Sequence, residues 1–195
     1  MDHTIKIDSV TELARNWGRF DNYRVTHGRR DGTQQTVTRE VYDHGSAAAV
    51  LMYAPSAGTV ILTRQFRLPP HLNGDPAWLI EAPAGLLDGE APAIAARREA
   101  VEETGFEPQQ LQFLFNAYMS PGSVTEKCAC FLAEYTPGKQ VSAGGGLAQE
   151  GEDIEVFELG LDAALAMIGS GEICDAKTIL MLQALAMRLA KAVAI

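Results

Sequence analysis

Three glutamates crowded near the end of one helix constrain this chain more than any other feature. Residues 85–106 read GLLDGEAPAIAARREAVEETGF. Pro92 suits a first helical turn, alanine and arginine fill the body, and Gly105 falls where a C-terminal cap belongs, so the segment predicts a helix over 91–104. On that helix Glu99 and Glu103 are i and i+4 and share a face, with Glu102 beside them. Carboxylates so close repel one another, and the last turn is where the helix dipole disfavours them. Two readings follow: a solvated acidic face, or a cluster of hard oxygen ligands of the kind that holds Mg²⁺ or Mn²⁺. Arg98 alone cannot neutralise three glutamates, which weighs against the first reading. A divalent cation there could bind phosphates and generate hydroxide near neutral pH.

Around this helix the pattern alternates strands and helices. Segments 20–26 and 33–42 flank Asp31-Gly32 and read as a hairpin. Segments 47–54 (AAAVLMYA) and 59–66 (TVILTRQF) read as a second, more buried hairpin. Segment 68–77 holds Pro69, Pro70, Asn73, Gly74 and Pro76 and reads as loop. Strands are expected at 78–82, 111–118, 127–135 and 154–159, and helices at 161–168 and 175–194. In the last helix Ile179, Leu182, Leu185 and Leu189 form an apolar stripe. The glycine-rich stretch 136–152 is a long loop, of a kind more often functional than idle. This order implies an α/β sandwich with a mixed sheet, and 195 residues suffice for one domain with a small appendage.

Sixteen basic against 25 acidic residues leave a net charge of −9, which argues against a broad surface for nucleic acid or anionic membrane. A phosphate substrate remains open, because a cation can mediate. Cys128 and Cys130 would share one face of a strand and read as core packing. An odd count of three cysteines suggests a reducing compartment. The four histidines are scattered, so a His-rich zinc site is not expected. With no 18-residue apolar run and no secretory pattern at the start, the expectation is a cytoplasmic enzyme or binding domain.

The segment 85–106 resembles the Nudix box of the Nudix hydrolases: a glycine, a spaced glutamate, then Arg-Glu, Glu-Glu and Gly. Four residues, not five, separate Gly85 from Glu90, a shortened loop similar to the GDP-mannose pyrophosphatase (NudK-like) branch, whose relatives include the ADP-ribose pyrophosphatases. Further motifs resemble that branch in order: 39–43 (REVYD), 64–67 (RQFR), 84–88 (AGLLD), 118–122 (YMSPG), 124–126 (VTE), 143–146 (AGGG), 152–155 (EDIE) and 176–178 (AKT). The likeness runs over roughly residues 12–185.

The resemblance implies a Nudix α/β/α sandwich with a mixed sheet, over 46–195, and a small N-terminal β-domain over 1–45, exchanged between the protomers of a homodimer. It implies metal ligation by the Ala84 carbonyl, Glu99, Glu103 and Glu152, with Mg²⁺ as the cofactor and Mn²⁺ able to substitute. Glu102 would support that site or bind a further ion. Glu150 would orient the attacking water, with Glu126 as a rival base or a substrate contact; read alone, Glu150 and Glu152 are two exposed loop acids. Arg39 and Arg67 would grip the diphosphate with their planar forks, whereas spacing alone allows them, with Arg64, to be surface ion pairs. Trp17 aligns with a base-stacking tyrosine, and otherwise reads as an N-terminal core anchor. Thr38 stands where the family has a lysine. Glu40, Gly85, Leu86 and Lys177 complete the implied substrate contacts; alone, Lys177 is a solvated helix residue. The implied reaction is Mg²⁺-dependent hydrolysis of a nucleoside diphosphate sugar, favoured as GDP-mannose, to a nucleoside monophosphate and a sugar 1-phosphate. The alternatives are an ADP-ribose pyrophosphatase and, in another class, a non-catalytic Nudix-fold ligand sensor. The implied partners are the nucleotide sugar and a second copy, with neither nucleic acid nor membrane.

Overall fold

The computed structural model describes residues 4–193, so His3 and the last residue expected for the C-terminal helix, Ala194, lie outside it. Contacts divide the chain into two units, one of residues 1–46 with 118–127 and one of residues 47–117 with 128–195.

The first unit carries an antiparallel three-stranded sheet, β1 (Ile5–Arg15), β2 (Arg19–Gly28) and β3 (Gln34–Asp43), in that order. The expected turn joins β2 to β3. Gly32 has φ 84°, and Asp31 Oδ1 accepts from Thr33 N at 3.0 Å and Thr33 Oγ1 at 2.6 Å. The segment 118–127 is tied to β3, with Tyr42 N donating to Ser123 O at 2.8 Å and Thr125 Oγ1 to Asp43 Oδ1 at 2.7 Å. Strand β1 was not expected: all eleven of its residues are exposed, so no buried face writes a period-2 signal into it, and two register shifts break the alternation further.

The second unit is built on a seven-stranded mixed sheet with helices, of α/β class. Its strands are β4 (Ala47–Ala54), β5 (Thr59–Phe66), β6 (Trp78–Glu81), β7 (Ala84–Leu86), β8 (Gln112–Tyr118), β9 (Lys127–Glu134) and β10 (Glu155–Gly160). The main path runs β10-β5-β4-β9-β8. β4 pairs parallel with β9 on one side. On its other side it pairs first with β7, through Ala47–Ala49, and then with β5 from Met52. β5 meanwhile pairs with β6. The sheet therefore splits between β4 and β5, and the β6–β7 turn around Pro83 fills the split. That turn carries residues 81–85 into the middle of the sheet.

The helices are α1 (Leu68–Leu72), α2 (Pro92–Thr104), α3 (Leu161–Ser170) and α4 (Ala176–Val193), with a 3₁₀ turn at Ala148–Glu150. Helix α1 corrects the reading of 68–77 as all loop: its prolines occupy the first turn, where a missing N–H costs nothing. On β4 and β9, Ala48, Val50, Met52, Ala129, Phe131 and Ala133 join Ala95, Ala96 and Ala100 of α2 in one core cluster. The alternate residues Ala49, Leu51, Cys128 and Cys130 are equally buried and point to the opposite face. Because alanines line this side of α2, the helix lies close against the sheet.

The glycine run closes α2. Gly105 ends the helix at φ 75° and donates to Val101 O at 2.9 Å. Gly145 N donates to Glu103 O at 2.8 Å and Gly146 N to Glu102 O at 3.1 Å, satisfying carbonyls that a helix end leaves open. Gly144, Gly145 and Gly146 all have positive φ. A Cβ on Gly144 would lie 2.6 Å from the Thr104 carbonyl carbon, whereas one on Gly138, also at positive φ, meets open space. Gly144→Ala should therefore lower Tm well beyond Gly138→Ala, by about 5 °C or more, since backbone strain is common to both and only the first adds a clash. Thermal melts of the two variants check this; equal melting points would count against the capping role.

Candidate active site

Helix α2 buries Glu99 and Glu103 on the face it turns to the sheet, in register with Ala95 at i and i+4 spacing. Glu103 is 1% exposed, and its Oε2 has no hydrogen-bond partner among the described residues. Burial, then repulsion from Glu99, Glu152 and Glu81, pushes its carboxyl up to about 8. Glu99 is pushed up to about 7 by burial, with Glu102 and Glu152 adding to the rise and Arg98 opposing it. The Glu99 carboxylate lies against the backbone of Gly85, so closely that any Cβ there would collide with it. The φ of this glycine is ordinary, so what a side chain there would do is displace the Glu99 carboxylate.

Glu152 approaches from the glycine loop. Its Oε2 accepts from Leu147 N at 2.8 Å, and Gly146 is the only residue type that leaves room for it there. Glu99 and Glu152 thus lie near enough to Glu103 to raise its carboxyl, with the Gly85 backbone against Glu99. Among the described residues, no three acidic, histidine or cysteine side chains already form a ligating array. Arg98 accounts for part of this, because its Nη1 holds Glu99 at 2.8 Å and Glu102 at 2.9 Å, its Nε holds Glu90 at 2.9 Å and its Nη2 donates to Leu86 O at 3.2 Å. Arg98 reaches two of the three helix glutamates and leaves Glu103 alone. A buried carboxylate with an orphaned oxygen, beside two more carboxylates, fits a hard divalent cation through its oxygen donors.

Arg67 and Lys177, both expected to contact substrate, meet on a residue that sequence reasoning missed. Glu81, 2% exposed at the end of β6, accepts from Arg67 Nε at 2.7 Å and Nη2 at 3.1 Å, and from Lys177 Nζ. Lys177 also reaches Asp175 Oδ1 at 3.0 Å, and Asp175 Oδ2 is held by Thr178 through its N–H at 3.0 Å and its hydroxyl at 2.6 Å. Burial alone would raise the Glu81 carboxyl, but Lys177 and Arg67 outweigh it and hold it at about 2. Arg67 grips Glu81 through Nε and Nη2, and among the described residues nothing engages Nη1, which can take an anion. A charge closing an otherwise apolar strand, WLIE, was the available signal for Glu81.

The remaining expected residues are placed within their own units. Glu150 is exposed on the 3₁₀ turn, and its N–H donates to Leu147 O at 2.8 Å. In the first unit, Arg39 and Glu40 are exposed on β3, with Arg39 Nη1 donating to Thr38 O at 2.8 Å. Trp17 is 70% exposed and stacks on His44. Glu126 Oε2 lies 3.3 Å from His44 Nε2.

A buried glutamate pair on a glycine-capped helix, set against a split mixed sheet, defines the class. The chain belongs to the Nudix family: the NUDIX domain model matches residues 43–170, and the model of the GDP-mannose pyrophosphatase NudK N-terminal domain matches residues 4–42. Among its relatives is a protein named GDP-mannose pyrophosphatase from Yersinia pestis (strain Pestoides F), 44% identical over 183 residues, covering 92% of this chain and 91% of the relative. Proteins of the same name from Pectobacterium atrosepticum and from Escherichia coli O1:K1 / APEC are 45% and 47% identical over 184 and 174 residues. These cover 94% and 86% of this chain, and 94% and 90% of the relatives. Among the described residues no helix is long and apolar enough to cross a membrane.

The raised carboxyls set a pH dependence. A carboxylate with a raised folded-state pKa binds more protons folded than unfolded, so stability falls as pH rises above the unfolded value near 4.5. In metal-free protein this loss should extend through about 7 and 8, where Glu99 and Glu103 ionise. A divalent cation should restore Tm chiefly at the upper end of this window and release protons on binding. Glu103→Gln should flatten the slope and shrink the cation's effect. Melts from pH 5 to 9 with and without Mg²⁺ measure all three; a pH-independent Mg²⁺ shift would overturn the assignment.

Proposed function

We propose that this Nudix hydrolase cleaves the diphosphate of GDP-mannose to GMP and mannose 1-phosphate, with Mg²⁺ as cofactor and Mn²⁺ able to replace it. The observation that carries the chemistry is the orphaned, buried Glu103 carboxylate beside Glu99 and Glu152. Support for the substrate comes from relatives at 44–47% identity that bear the name GDP-mannose pyrophosphatase and from the matched N-terminal domain.

In this reading Glu99, Glu103, Glu152 and the Ala84 carbonyl hold the cation. When bound, Mg²⁺ neutralises the diphosphate and lowers the pKa of bound water. Arg67, oriented through Glu81, presents its free Nη1 edge to a phosphate oxygen, with Lys177 and Arg39 adding positive charge. Gly85 and Leu86 offer backbone contacts. Glu150 accepts a proton from the attacking water, which approaches phosphorus opposite the leaving oxygen; Glu126 is the other carboxylate available for that task. Trp17 stacks the base, and Glu40 reads the guanine edge, where N1 and N2 donate. The enzyme acts in the cytoplasm as a C₂ homodimer, with the β-domain of residues 1–45 exchanged and residues 46–195 forming the Nudix domain. The exposed apolar residues of β1, Ile5, Ile7, Val10 and Leu13, support such an exchange.

A substrate panel with Mg²⁺ tests the reading. GDP-mannose should exceed ADP-ribose by about ten- to a hundredfold in kcat/KM, the cost of leaving a buried polar group unpaired against adenine. Equal or better turnover of ADP-ribose would overturn the substrate while leaving the chemistry in place. Glu103→Gln should lower kcat by about two orders of magnitude with the fold intact, and near-normal turnover would remove Glu103 from the metal site. Light scattering should give twice the 21.0 kDa chain mass; a fully active monomer would rule out the exchange.

A further inference from the structure

Trp17 has one face covered and one open. The His44 imidazole lies 4.9 Å from its ring, centroid to centroid, at an interplanar angle of 18°, which is a stacked arrangement. Tyr42 leans on both rings, 6.4 Å from Trp17 and 5.5 Å from His44. The tryptophan nevertheless remains 70% exposed. His44 itself is well covered, its side chain 12% exposed, and it is held at one edge by the Glu126 carboxylate, 3.3 Å from Nε2. Its Nδ1 is buried with no hydrogen-bond partner among the described residues. A buried imidazole nitrogen without a partner is a cost that ordinary packing selects against. Here it accompanies an orientation that sets the ring flat beneath the indole.

We propose that His44 is a positioning residue: with Glu126 fixing its edge, it backs Trp17 from beneath and holds the indole as a flat platform for the nucleotide base. The inference rests on the nucleotide-sugar reading of Trp17 and adds to it a second ring and a carboxylate. A stacked base gains from a rigid, pre-oriented partner, because a free indole loses rotamer freedom on binding. Glu126 thereby has a task that needs no proton transfer. The task assigned to His44 is to hold the base, so its effect falls on binding and not on the chemical step.

The sequence holds two tryptophans, so Trp78→Phe leaves Trp17 as the single fluorophore. In that background, quenching of Trp17 emission by GMP and by AMP, without metal, reads base stacking directly. His44→Ala should weaken GMP binding about five- to tenfold and raise KM by a similar factor, with kcat within about twofold of the parent. His44→Phe keeps a flat ring without the nitrogens and should restore most of the affinity. Glu126→Gln should leave the stack in place, and Glu126→Ala should loosen it, seen as a drop in Trp17 emission anisotropy. Unchanged GMP affinity and KM in a folded His44→Ala protein would overturn the proposal. So would a His44→Phe variant as weak as the alanine. If the parent binds GMP by stacking, and His44→Ala loosens it, yet GDP-mannose is not hydrolysed, the platform stands and the substrate reading falls.

Discussion

Burying two carboxylates on the inner face of α2 is the constraint around which the second unit is arranged. An ionised carboxylate removed from water is strongly disfavoured unless it is paired, protonated or bound to a cation. Glu99 has Arg98 to oppose that cost, and Glu103 does not. The surroundings are arranged accordingly. Alanines at 95, 96 and 100 bring the helix close to the sheet, glycine at 85 makes room for Glu99, and the 144–146 run closes the helix end while delivering Glu152. A fold that spent this much close packing on a repulsive pair would be less stable than one with leucines there. The arrangement is intelligible as a site that a cation completes.

The charged pairs behind the site follow the same logic with opposite sign. Glu81 is buried but has two cations, so it stays ionised far below neutrality. It adds to the rise at Glu103 while fixing Arg67. Two nearby buried glutamates thus have carboxyls at about 2 and about 8: burial raises both, and only Glu81 has cations that outweigh it.

Local chemistry was legible in the sequence, and long-range chemistry was not. Helix α2 could be read from Pro92, Gly105 and the spacing of its glutamates, because caps and i,i+4 relations are local. Strand β4 could be read from an uninterrupted apolar run and β5 from the apolar stretch Val60–Leu62, since both faces are covered there. Strand β1 could not, having no buried face to impose a pattern. The importance of Glu81 depends on Lys177, 96 residues away, and that of His44 on a tryptophan across a sheet. The long glycine loop was recognisable as unusual, but its role in closing α2 comes from pairings that no spacing rule encodes.

The loop that caps α2 also sorts where the chain tolerates added length. Pro137 and Gly138 lie in an exposed turn, and nothing packs around Gly138. Eight residues later, Gly146 has Glu152 against it and its N–H committed to the helix end. A peptide grafted at the first point would hang in solvent, whereas one grafted at the second would pull a carboxylate away from its neighbours. Such a chain carries, within one connector, a permissive attachment point for a reporter and a stretch whose length is fixed by the helix end it closes.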